Sequence, residues 1–144
     1  MKKSVLTAVA LSVLGFASMV HAEEAGTQAL SPNVSPVKIE MRALNDAFLN
    51  LIDSLILNTP DLIEEPFHKV HEARANTEKA LEKGEIRLPK NSAKIKQFLK
   101  MDEEFHNKLE TLIEAADKKD MKAVQDITQK LMNACVQCHT KFRN

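Results

Sequence analysis

The chain has 144 residues and a balanced formal charge, with 20 lysines and arginines against 20 aspartates and glutamates. Such a mixed-sign surface provides no basic footprint for nucleic acid and no attraction to anionic membranes. With no Trp, no Tyr and three glycines, the composition also excludes aromatic stacking platforms and argues against a sheet protein.

At the N-terminus, Lys2 and Lys3 precede an apolar stretch from Val5 to Phe16, and Val20-His21-Ala22 forms a small-residue cleavage site. This pattern predicts a signal peptide over residues 1–22. A retained anchor fits less well, because Ser4, Thr7, Ser12 and Gly15 interrupt an apolar run already near the lower limit for a span. Cleavage removes Lys2 and Lys3 alone among the charges, leaving 18 basic and 20 acidic side chains. The remaining ~120 residues suit one domain with a modest core.

Residues 23–35, with Gly26 and Pro32, read as a flexible lead into a domain over residues 36–144. Ser35-Pro36 predicts the start of a first helix, with Val37, Met41, Leu44, Phe48, Leu51, Ile52 and Leu55 at helical spacing until Asn58-Thr59-Pro60 stops it. A second helix, capped by Asp61 or Glu65, carries Phe67, Val70, Thr77 and Leu81 inward and ends at Gly84. Asn91 or Ser92 caps a third, with Ile95, Phe98, Leu99, Phe105, Leu109, Leu112 and Ala116 inside. The turn Asp117-Lys118-Lys119-Asp120 leads to a fourth, with Val124, Ile127, Leu131, Ala134, Cys138 and Phe142 inside. Four amphipathic helices with short connections predict an all-α, antiparallel up-down-up-down four-helix bundle.

The fourth helix contains Cys135-Val136-Gln137-Cys138-His139, which includes both cysteines of the chain. Cys-x-x-Cys-His is the attachment signature of c-type haem, in which two thiols join the haem vinyl groups and the adjacent imidazole ligates the iron. On a helix, Cys135, Cys138, His139 and Phe142 fall at i, i+3, i+4 and i+7 and share one stripe. A disulfide between the cysteines is strained on a continuous helix. A thioredoxin-like pair belongs at a helix N-terminus after a strand. Structural zinc needs four ligands, and there is no second cysteine pair. One covalent haem c therefore accounts best for the motif, and export fits it, because such attachment takes place outside the bacterial cytoplasm.

In up-down-up-down order the end of the last helix lies beside the start of the first. Met41, about five residues into the first helix, then stands at the level of His139 and is the candidate second iron ligand, a role that spacing alone leaves balanced against ordinary core packing. The same counting of turns puts His68, His71 and His106 away from that level, and Met101, Met121 and Met132 too high, too far or on the His139 helix. His68, His71 and His106, with Glu64 and Glu103 nearby, are expected on solvated faces, with a metal-binding group at the far end of the bundle as their other reading.

These features resemble the cytochrome c′ family, the class II cytochromes c, in a four-helix domain with the haem motif on its last helix. Met41-Arg42-Ala43-Leu44-Asn45-Asp46 and His139-Thr140-Lys141-Phe142-Arg143 are also similar to the two ends of the soluble periplasmic cytochromes b of the same bundle type. That resemblance implies Met41 and His139 as axial ligands. Cys135 and Cys138 depart from it, since those relatives hold haem without covalent bonds. Many class II members leave the sixth position open and bind gases there, whereas members with Met in the ligating place are six-coordinate electron carriers.

The expected function is thus a periplasmic one-electron carrier, not an enzyme. It would serve periplasmic redox proteins as a monomer or homodimer, with no nucleic acid or membrane partner. The alternative is a nitric oxide-binding protein with an open or displaceable sixth position. A peroxidase would need an acid–base side chain opposite His139, and the turn counting finds no His or Glu there. Arg42, Lys141 and Arg143 lie at the haem end and are candidates for propionate or partner contacts, or for plain solvated charge.

Overall fold

A computed structural model describes residues 34–143. The expected signal peptide, most of the 23–35 segment and Asn144 lie outside these residues. Among the described residues four α-helices follow in order: α1 (Pro36–Leu57), α2 (Glu64–Glu82), α3 (Ile95–Asp117) and α4 (Met121–Phe142). One turn of 3₁₀-helix precedes α2 at Pro60–Leu62, and another precedes α3 at Ser92–Lys94. Among the described residues there is no strand, and no helix is long and apolar enough to cross a membrane. The molecule is the expected all-α four-helix bundle.

The helix ends follow from local chemistry. Pro36 opens α1 after Ser35, whose hydroxyl makes no capping bond. Asn58, Gly84 and Lys119 take left-handed backbone at the exits of α1, α2 and α3. At Gly84 (φ +69°) this closes a Schellman turn, with Glu85 N–H donating to the Ala80 carbonyl at 2.9 Å and Gly84 N–H to Leu81 at 3.1 Å. Asp120 caps α4 by accepting from the Ala123 N–H at 2.9 Å.

Two expected caps are corrected. Neither Asp61 nor Glu65 caps α2, because the Pro60–Leu62 turn delivers the chain so that Ile63 holds the cap position. Neither Asn91 nor Ser92 caps α3, because both are used before it, with Lys94 at the cap position. Asn91 instead turns left-handed and donates its side chain to the Lys141 carbonyl at 2.7 Å. Beside it, Lys90 N–H donates to the Phe142 carbonyl at 3.1 Å. The α2–α3 loop thereby satisfies carbonyls that the end of α4 would leave open.

α1 packs along α2, and α3 along α4, as two antiparallel hairpins whose apolar faces meet. The main core joins Leu44, Leu51, Phe67, Val70, Leu109, Leu112, Val124 and Leu131. Phe48 ties the hairpins together, with its ring 6.1 Å from Phe67 on α2 and 6.4 Å from Phe105 on α3. A smaller cluster of Leu81, Leu88, Phe98 and Phe142 closes the end where α4 finishes. Ile52, expected inside, is instead 41 % exposed. Leu109 is fully buried and Leu49 is 60 % exposed. Leu109→Ala should cost about 3 kcal/mol by lost transfer energy and cavity formation, and Leu49→Ala at most ~0.5 kcal/mol, both read by urea unfolding.

Candidate haem site

Between the two apolar clusters lies a cleft of about 220 Å³. Met41 and Leu44 line it from α1, Phe98, Met101, Asp102 and Phe105 from α3, and Ala134, Cys135, Cys138 and His139 from α4. The helical stripe on α4 therefore faces one space, and Met41 borders the same space from the first helix. Below it, Phe142 is anchored by an edge-to-face contact with Phe98, with centroids 5.4 Å apart at 90°. That anchor and the loop bonds to the Lys141 and Phe142 carbonyls fix the rotation of α4 about its axis.

Cys135 and Cys138 are free and half-buried on a continuous helix. Burial pushes both thiols up, Cys138 to about 11 with help from the negative charges of Asp102 and Glu40. His139 is held below its usual value by burial and then by Arg143, so at neutral pH it presents a neutral imidazole with a lone pair to offer. Two uncharged thiols, a neutral imidazole and walls of Leu, Phe and Met match what a porphyrin attached through thioethers requires. The donor set therefore fits haem c.

Three expectations about the surroundings are overturned. His106 is not a surface residue: it is fully buried, with Nε2 3.4 Å from Glu40 Oε1 and 3.7 Å from Asp102 Oδ1. It also stands near the level of Met41, the neighbour of Glu40. Glu40 is four residues past Pro36 but His106 is eleven past Ile95. So α3 begins about seven residues, ~10 Å, beyond the start of α1. Turn counting from a common baseline missed this offset. For the same reason Met101 is not too high, but borders the cleft. And carboxyl groups do border the cleft, contrary to the turn counting: Glu104, and Asp102, raised to about 6 by burial and by Glu40, against the opposing pull of His106 and Arg74.

The remaining positions are as expected or nearly so. His68 is exposed beside Glu64, and Glu103 is exposed. His71 is partly buried, with its ring centroid 5.8 Å from that of His106. Met121 opens α4 at its far end and Met132 is 46 % exposed. Arg42 and Arg143 are exposed, and Lys141 Nζ lies 6.0 Å from the Phe142 ring centre.

Glu40 and Asp102 drew no notice in the sequence and His106 was set on the surface, although a signal for their burial existed. Glu40 stands four residues before Leu44, and Asp102 and His106 are interleaved with Phe98, Phe105 and Leu109, so all three occupy the apolar stripes of their helices. Charged residues at such spacing mark a buried polar cluster.

In the haem-free chain, a thiol pushed up to about 11 leaves Cys138 with about 100-fold less thiolate at pH 8 than an ordinary thiol. Its alkylation by iodoacetamide should be slower than that of an unfolded control by about that factor, and should accelerate as pH rises toward 11.

No curated protein and no solved structure matches the chain. The family whose model matches is described as Cytochrome C′, and the match runs over residues 64–143, from the first turn of α2 to the end of α4. Over this majority of its length, haem motif included, the chain belongs to the cytochrome c′ family of c-type haem proteins.

Proposed function

We propose that the protein is a periplasmic one-electron carrier with a single haem joined through Cys135 and Cys138, and with His139 and Met41 as axial ligands. One observation carries this reading: Met41 from α1 and His139 from α4 border the same cleft as the two thiols. The iron, when bound, supplies a change of one unit between two oxidation states. The chain supplies orientation and electrostatics. His139 offers a neutral nitrogen. Met41 offers a soft thioether, which favours the reduced metal and so a higher potential. Leu44, Phe98 and Phe105 exclude water from the cleft and lower its dielectric.

Met101 is the competing thioether, since it borders the same cleft. Met41 is favoured by its setting in Met41-Arg42-Ala43-Leu44-Asn45-Asp46, similar to the ligating segment of the soluble periplasmic cytochromes b. The leader-like residues 1–22 and the motif's need for export support a periplasmic location. Redox proteins of that compartment are the partners proposed, with exposed Arg42 and Arg143 at the haem end available to acidic surfaces.

Optical spectra of wild type, Met41→Ala and Met101→Ala test the assignment. Wild type and Met101→Ala should be low-spin in both oxidation states. Met41→Ala should turn high-spin and lose on the order of 100 mV of potential, part of the ~0.8 V range that axial ligation commands. A high-spin reduced wild type would favour nitric oxide binding instead, and an unchanged Met41→Ala would remove Met41 as ligand.

A further inference from the structure

Behind the cleft, the bundle core contains three ionisable side chains from two helices. Glu40 and His106 have no solvent exposure and Asp102 has 8 %. Nothing in haem attachment calls for them, and burying such groups is costly unless they are paired or bind a cation. Their mutual pairing is poor. The 3.4 and 3.7 Å separations from His106 Nε2 to the two carboxylates exceed the ~2.7–2.9 Å of a charge-assisted hydrogen bond. Glu40 Oε2 and His106 Nδ1 are buried without any hydrogen-bond partner.

The same separations suit metal coordination. Bonds of about 2.0–2.2 Å in tetrahedral array set ligand atoms roughly 3.3–3.6 Å apart. One donor atom from each of Glu40, Asp102 and His106 lies within 4.8 Å of the other two. Charge agrees as well. Arg74 is already engaged, with Nε 3.0 Å from Asp102 Oδ2 and Nη2 2.8 Å from Glu78 Oε1. Because Arg74 is shared between Asp102 and Glu78, the one guanidinium does not neutralise the buried carboxylates of Glu40 and Asp102 together, and a divalent cation between them would. Arg74 also holds the far oxygen of Asp102, orienting Oδ1 as an outer-shell partner does.

We infer that Glu40, Asp102 and His106 form a second, non-haem site for a divalent first-row transition ion, with zinc as the probe. Imidazole with carboxylates suits such an ion, and the set has too few oxygens for calcium. Because Asp102 also borders the cleft, the ion would sit directly behind the haem pocket.

The test uses the haem-loaded protein, treated with EDTA, freed of chelator and equilibrated by dialysis with micromolar zinc chloride. Zinc per haem iron is then counted by mass spectrometry. One zinc per iron is expected in wild type and in His68→Ala, which removes the exposed histidine beside Glu64. Glu40→Gln and His106→Ala should bind at least ~100-fold more weakly, since even outer-shell losses cost 10–100-fold. Glu40→Gln keeps side-chain size, so its result stands even where His106→Ala fails to fold. Absence of zinc from wild type overturns the site. So does equal binding by Glu40→Gln, or loss in His68→Ala, either of which marks an adventitious surface ion only.

Discussion

Glu40 on α1 and His106 on α3 meet at 3.4 Å inside the bundle, with neither side chain exposed, and their contact records how far one helical hairpin is slid along the other. That offset sets which side chains share the cleft. It brings Met101, Asp102 and Phe105 of α3 to the height of Met41, and leaves Phe98 one turn lower to hold Phe142. Sliding α3 by one turn, ~5.4 Å, would replace each of these neighbours. Ridge-and-groove packing over Leu44, Leu51, Leu109 and Leu112 resists such a slide, since interiors pack at crystal-like density.

Rotation of α4 is the second constraint, and it is fixed at its exit. The Phe98–Phe142 contact, the Asn91 side chain on the Lys141 carbonyl and the Lys90 amide on the Phe142 carbonyl all act within the last turn. Cys135, Cys138 and His139 precede this turn on the same stripe, so their direction follows from where Phe142 is held. The α2–α3 loop thus orients the haem motif from a distance in sequence of about fifty residues. A loop that only connected two helices would not need to satisfy carbonyls on a third.

The cleft combines an apolar wall with a polar back. Leu44, Phe98, Phe105 and the two methionines present carbon and sulfur, while Asp102 links the space to Glu40, His106 and Arg74. Low dielectric strengthens the influence of those charges on whatever occupies the cleft. That influence already acts on one thiol, since Asp102 and Glu40 contribute to raising Cys138. The family match, over residues 64–143, excludes α1, and α1 carries both Met41 and Glu40.

Helical periodicity, the proline and left-handed stops, and the Cys-x-x-Cys-His spacing were legible in the chain because each depends on neighbours within two turns. The stripe of Cys135, Cys138, His139 and Phe142 is of this kind, and so are the four helices and nearly all their inner faces. What lay beyond reach was the slide of α3 against α1, because it depends on side chains more than sixty positions apart and on a loop that delivers α3 about two turns early. Turn counting placed Met41 beside the cleft correctly but set Met101 too high and His106 outside the core. The polar cluster went unseen for a related reason. Glu40, Asp102 and His106 each stand on an apolar stripe, but only the packing of α1 on α3 decides that they meet and lose their water together.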